Sequence, residues 1–118
     1  MEITRVYTDN DGETHFRVEH IDMTSIANGT INMSEPIPAS NLAFAAFDVK
    51  TDEDWHTAPR KQAIIILSGG AVELGVSDGE KRRFGPGQVI ILEDTKGKGH
   101  TTRSVDENPR EEVWVHLD

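Results

Sequence analysis

The chain of 118 residues contains no cysteine. That excludes a disulfide framework, thiolate-ligated zinc, an iron–sulfur cluster and a thiol nucleophile, and it confines any metal centre to nitrogen and oxygen ligands. Positive charge is scarce as well. Twelve Lys and Arg stand against 21 Asp and Glu, a formal net charge of −9. No basic stripe offers itself to a phosphate backbone or an anionic lipid surface, so neither nucleic acid nor a membrane is expected as a partner. Long hydrophobic runs are missing too. Leu42–Phe47 and Ala63–Leu67 are the longest, far short of the roughly 20 apolar residues of a spanning helix. The opening Met1-Glu2-Ile3-Thr4-Arg5 lacks the apolar stretch of a secretory signal, and a cytoplasmic location is the expectation.

Several catalytic signatures are absent. Gly97-Lys98 is not a phosphate-binding loop, because Leu92 stands where the first glycine belongs and Gly99 where a hydroxyl residue belongs. There is no G-x-S-x-G elbow, no H-E-x-x-H and no dinucleotide fingerprint.

What is present is a series of short strand signals punctuated by turns. Asp9-Asn10-Asp11-Gly12 separates Ile3–Tyr7 from Thr14–Ile21. Met23–Ser40, with Asn28-Gly29, Pro36 and Pro38, reads as loop, and Leu42–Val49 as a strand or a short buried helix. The β-branched run Ala63–Leu67 predicts a strand. Ala71–Val76 follows, then the hairpin signal Asp78-Gly79, then Glu80–Phe84. Val89–Leu92, His100–Val105 and Glu112–Leu117 complete the set. Frequent turns without a long helical pattern predict a single all-β domain, a sandwich or barrel.

Charge is unevenly spread. Residues 1–59 hold 11 acids and 3 bases, net −8, whereas residues 60–118 hold 10 acids and 9 bases, net −1. The second half is nearly neutral, so the overall acidity does not forbid an anionic small molecule there.

From Asp54 to Leu117 the order and spacing of residues resemble the cupin family. The resemblance rests on His56-Thr57-Ala58-Pro59-Arg60-Lys61-Gln62 leading to Gly69, and on Phe84-Gly85-Pro86-Gly87, Val89–Leu92 and His100. Together with Trp55 and Glu93-Asp94-Thr95 the string is similar to a subgroup of small single-domain cupins. The resemblance implies a double-stranded β-helix, or jelly-roll barrel, over residues 41–118, with residues 1–40 adding strands and a loop to it. It also implies a metal site. Matched to the family's four ligands, this chain has His56, Ala58, Gln62 and His100. Ala58 cannot ligate, and Gln62 offers a neutral carbonyl oxygen in place of a carboxylate. Metal ligation is thus expected from His56, Gln62 and His100, by a divalent ion such as Zn, Mn, Fe or Ni. No organic cofactor is implied.

Strand parity adds pocket residues. Gln62, Ile64 and Ile66 share one face of their strand, and His116 shares a face with Trp114. Glu93 or Asp94 is placed to support His100 or act as a base. Arg60, Lys96, Lys98 and Arg103 either draw an anion to the mouth or are solvated loop charges. His15 and His20 read as surface residues, Trp55 as rim packing and Trp114 as core. Two functions fit: a metal-dependent cupin acting on a small polar molecule, or a metal-free small-molecule binding or regulatory module. A homodimer through an edge or an outer sheet face is expected.

Overall fold

A computed structural model describes residues 1–118, and the protein is all-β, with twelve strands and one short 3-10 turn. β1 (Glu2–Thr8) and β2 (Thr14–His20) form an antiparallel hairpin. Its turn is organised by Asp9, whose Oδ1 accepts the amides of Asp11 and Glu13 at 2.8 and 3.1 Å. The segment read as loop, Met23–Ser40, contains a small hairpin instead: β3 (Thr24–Ile26) and β4 (Ile31–Met33) pair around Asn28-Gly29. Asn28 and Gly29 take the left-handed backbone (φ 57 and 85) that a tight reversal requires. Three-residue strands are too short to show a period, which is why the sequence does not reveal them.

β5 (Leu42–Phe47) is a strand, which settles the alternative left open by its periodicity. β6 (Asp52–His56) was not expected. It carries three acids in five residues, a composition depleted in strands, and it forms because β11 supplies a partner edge. The remainder follows the expected order: β7 (Gln62–Gly69), β8 (Val72–Val76), β9 (Lys81–Phe84), β10 (Val89–Leu92), β11 (His100–Ser104) and β12 (Arg110–His116).

The strands assemble into a six-stranded sheet, β2-β1-β10-β7-β12-β5, and a four-stranded sheet, β6-β11-β8-β9, with β3-β4 apart from both. β1 runs parallel to β10, pairing Thr4 with Ile90 and Val6 with Leu92, so the N-terminal hairpin is continuous with the larger sheet. Val6, Phe16, Ile64, Ile66, Ile90 and Leu92 of the larger sheet meet Val72, Leu74, Val76 and Phe84 of the smaller one in the main core. These are alternate residues along each strand, and the opposite face of the larger sheet buries a second, smaller cluster of Ile3, Ala63 and Ile91, with Ile21, Val89, Val115 and Leu117 packed against it.

Candidate functional site

At one end the two sheets stay open around a cavity of about 250 Å³. Its wall is apolar, from Ile64, Val72, Leu74, Ile90, Leu92, Trp114 and Phe47, and its polar groups are His56, His100, Gln62, Glu53, Thr102, Arg110 and Glu112.

The two histidines are brought together by register. His56, the last residue of β6, is the direct cross-strand partner of His100, the first of β11, and the rings lie 4.4 Å apart between centroids. Gly99 makes this approach possible. Its φ is +73°, and a Cβ there would sit 2.1 Å from the His56 carbonyl oxygen. No other residue type can occupy the position with the strands this close.

Each ring is anchored through Nδ1. His100 Nδ1 pairs with Asp94 Oδ2 at 2.5 Å, both residues being buried. His56 Nδ1 donates to the Asp54 carbonyl oxygen at 2.7 Å. Because a carbonyl only accepts, the proton of neutral His56 is on Nδ1, and Nε2 carries the lone pair. An Asp94 carboxylate accepting from His100 fixes the same tautomer there. His100 Nε2 makes no hydrogen bond within the protein, while His56 Nε2 lies 3.4 Å from Glu53 Oε2. Asp94 is fully buried and its Oδ1 has no partner. A buried carboxylate with half its capacity unmet costs folding free energy, so its hydrogen bond to His100 is the main compensation visible in the fold.

The loop delivering His100 is clamped by the N-terminal hairpin. Thr14 Oγ1 donates to the Gly99 carbonyl at 2.6 Å, Thr8 Oγ1 to the Lys96 carbonyl at 2.9 Å, and the Lys98 amide to the Gly12 carbonyl at 2.9 Å. His15 completes this end, with Nε2 2.7 Å from Asp9 and Nδ1 2.8 Å from Asp78. The hydrogen bond to Asp9, then that to Asp78, raises the His15 pKa above its ordinary 6.5. Asp9 is lowered chiefly by His15, and Asp78 chiefly by the Glu80 amide.

Of the residues expected at the site, His56, Gln62, Ile64 and His100 line the cavity together. Ile66 does not; it is 1% exposed, packed within the core one pleat further along β7. His116 does not either. It is the neighbour of Gln62 across β12 and β7, but it lies at the end of the strand, where its Nδ1 is 3.1 Å from Arg60 Nη1. The basic residues near the motifs are not in the cavity. Arg103 pairs with Glu73, Lys98 with Glu13, and Arg60 with Asp118. Of the two acids before His100, Asp94 supports it, whereas Glu93 turns away to Arg5 and Lys61.

Sequence reasoning missed a buried charge pair in the cavity wall. Arg110 Nε donates to Glu112 Oε2 at 2.6 Å, and Trp114 Nε1 donates to Glu112 Oε1 at 2.8 Å. Arg110 Nη1 reaches Ser104 Oγ at 3.3 Å, and Phe47 stacks 4.3 Å from the guanidinium carbon. Nη2 has no partner within the protein. The signal was present: the parity shared by Trp114 and His116, carried back along β12, reaches Glu112 and Arg110. No cluster of three or more His, Cys, Asp or Glu side chains suited to a metal forms in the fold. A metal on the two histidines would need the Gln62 amide or solvent to complete its ligand set.

No family model matches the chain, and no curated protein does. Among solved structures it is similar to the protein NMB1881 from Neisseria meningitidis, at 23% identity over 71% of this chain and 81% of that one, with a TM-score of 0.49. It is also similar to the conserved SPY1581 protein of unknown function from Streptococcus pyogenes, at 23% identity over 69% of each chain, with a TM-score of 0.46.

Proposed function

We propose that the two sheets are the halves of a cupin-type jelly-roll barrel, and that its cavity binds a divalent first-row metal together with a small polar molecule. The observation that carries this reading is the hydrogen bonding of the two histidines. One gives its Nδ1–H to a backbone carbonyl and the other pairs Nδ1 with a buried carboxylate. These are the partners that metal-ligating histidines use to hold the ring and expose Nε2. Two imidazoles and the Gln62 amide oxygen suit Zn, Mn, Fe or Ni, with positions left for solvent or ligand. Such an ion, when bound, supplies Lewis-acid polarisation of a ligand oxygen. The chain's own groups do the rest. The apolar wall excludes water, and Arg110 presents its free Nη2 to an acceptor on the part of the ligand away from the histidines.

The test is metal analysis of protein purified without affinity tag or chelator, followed by calorimetric titration with Mn, Fe, Ni and Zn. Stoichiometric binding that weakens at least 10-fold in His56→Ala is expected. No metal in the purified protein and no His56-dependent stabilisation by any of the four would overturn the reading. A second reading, metal-free binding of a small organic molecule, is favoured by Ala58, whose buried methyl stands where a further ligand would be. Thermal-shift hits that persist in EDTA support it over the first.

A further inference from the structure

Arg110 is the only lysine or arginine among the residues that line the cavity, and it is 2% exposed. Its counter-charge is fully engaged. One oxygen of Glu112 accepts from Arg110 Nε and the other from Trp114 Nε1. Ser104 Oγ meets Nη1, and Phe47 covers one face of the guanidinium. That leaves Nη2 with no protein partner. Two other buried groups of the cavity share this condition, the Gln62 side-chain amide and His100 Nε2. Yet Asp94 Oδ1 is the one side-chain nitrogen or oxygen that is both sealed from solvent and without a partner. The free atoms of Arg110, Gln62 and His100 therefore open on the cavity itself.

These groups stand at two ends. Ser104 and His100 lie on the same face of β11, four residues apart, which is about 13 Å in an extended strand. The guanidinium sits beside Ser104 and the two imidazoles beside each other at His100. Between them Ile64, Val72, Leu74 and Ile90 form the wall. A ligand of this cavity has an acceptor at one end, a short apolar body, and a polar group at the other end.

The charge of the acceptor follows from the charges around it. Arg110, Glu112 and Asp94 are the buried charges of the cavity and its histidine support. With a divalent ion on the histidines they leave one positive charge over. A monoanion matches that surplus, a dianion exceeds it, and a neutral group leaves it uncompensated. A carboxylate also suits the free edge of a guanidinium, since charge-assisted hydrogen bonds are about twice as strong as neutral ones.

We infer that the small molecule is a monocarboxylate whose carboxylate accepts from Arg110 Nη2 while its other end meets the histidines. This inference rests on the reading of the cavity as a metal site.

The probes are straight-chain acids from butyrate to octanoate, their primary amides, and methyl phosphate, each titrated calorimetrically into zinc-loaded protein. At least one acid should bind about 10-fold more tightly than its amide, the advantage of a charge-assisted bond in a dry site. That acid should shift the side-chain ¹⁵Nε signal of Arg110. The double variant Arg110→Met/Glu112→Leu removes both charges at similar volume; it should keep its zinc and lose the preference for the acid. Amides that bind as tightly as the acids overturn the inference, and so does tighter binding of methyl phosphate. An acid preference that survives in the double variant overturns it too, because the carboxylate then sits on the metal. If the double variant fails to fold, an Arg110 signal that does not move in the parent decides against it. Zinc uptake with no binding of any acid overturns this inference alone, whereas absence of metal uptake overturns the metal site as well.

Discussion

Replacing Gly99 by alanine tests whether the close approach of β6 to β11 builds the site. A Cβ at residue 99 would lie 2.1 Å from the His56 carbonyl oxygen, 2.4 Å from its carbon and 2.8 Å from the Thr57 nitrogen. All three atoms are backbone, so no side chain can rotate aside. The left-handed φ alone costs an alanine about 1–2 kcal/mol. Relieving the overlap requires β6 to move by about 1 Å against a packed sheet, which adds about 1–3 kcal/mol on the scale of core overpacking. Gly79 provides the control, since its φ of +99° carries the same conformational penalty but a Cβ there meets nothing within 4 Å. At roughly 5 °C per kcal/mol for a domain of this size, Gly79→Ala should lower Tm by about 5–10 °C and Gly99→Ala by about 10–25 °C. Differential scanning calorimetry of the two variants in one buffer reads the difference. Equal Tm values for the two would refute the reasoning, because the strain is common and only the overlap distinguishes them.

Two further predictions concern the charges on either side of the site. Glu112→Gln leaves the buried Arg110 without its counter-charge and should cost about 3–5 kcal/mol in urea denaturation, while Arg110→Met/Glu112→Leu should recover most of that loss; a silent Glu112→Gln would show that the pair contributes nothing. The His15 lock should give stability a defined pH dependence. Its pKa is raised, so its contribution is full below about 6.5 and is lost as pH rises through the folded-state value. Asp9 and Asp78 are lowered, so theirs is present above about 3.8 and is lost as pH falls through their depressed values. In His15→Gln the fall in Tm between about pH 6 and pH 9 should be shallower than in the parent, and superimposable profiles would count against the lock.

The β-branched run of β7, the alternation in β8 and the Asp78-Gly79 turn declare strands locally, because side-chain period and turn chemistry are properties of a few consecutive residues. His56, Gln62 and His100 were likewise legible as a spacing, and all three line the cavity. Other features were not available to such a reading. β6 exists only because β11 offers it an edge. Arg110 and Glu112 share the parity of Trp114, which the sequence does show, but only the pairing of β12 between β7 and β5 turns that face inward and buries them. The absence of cysteine left nitrogen and oxygen as the possible ligands, and composition kept charge out of residues 23–47 apart from Glu35. Which histidines meet, which carboxylate supports them and which apolar faces stay uncovered are matters of long-range pairing. They were decided only when strands distant in sequence came into register.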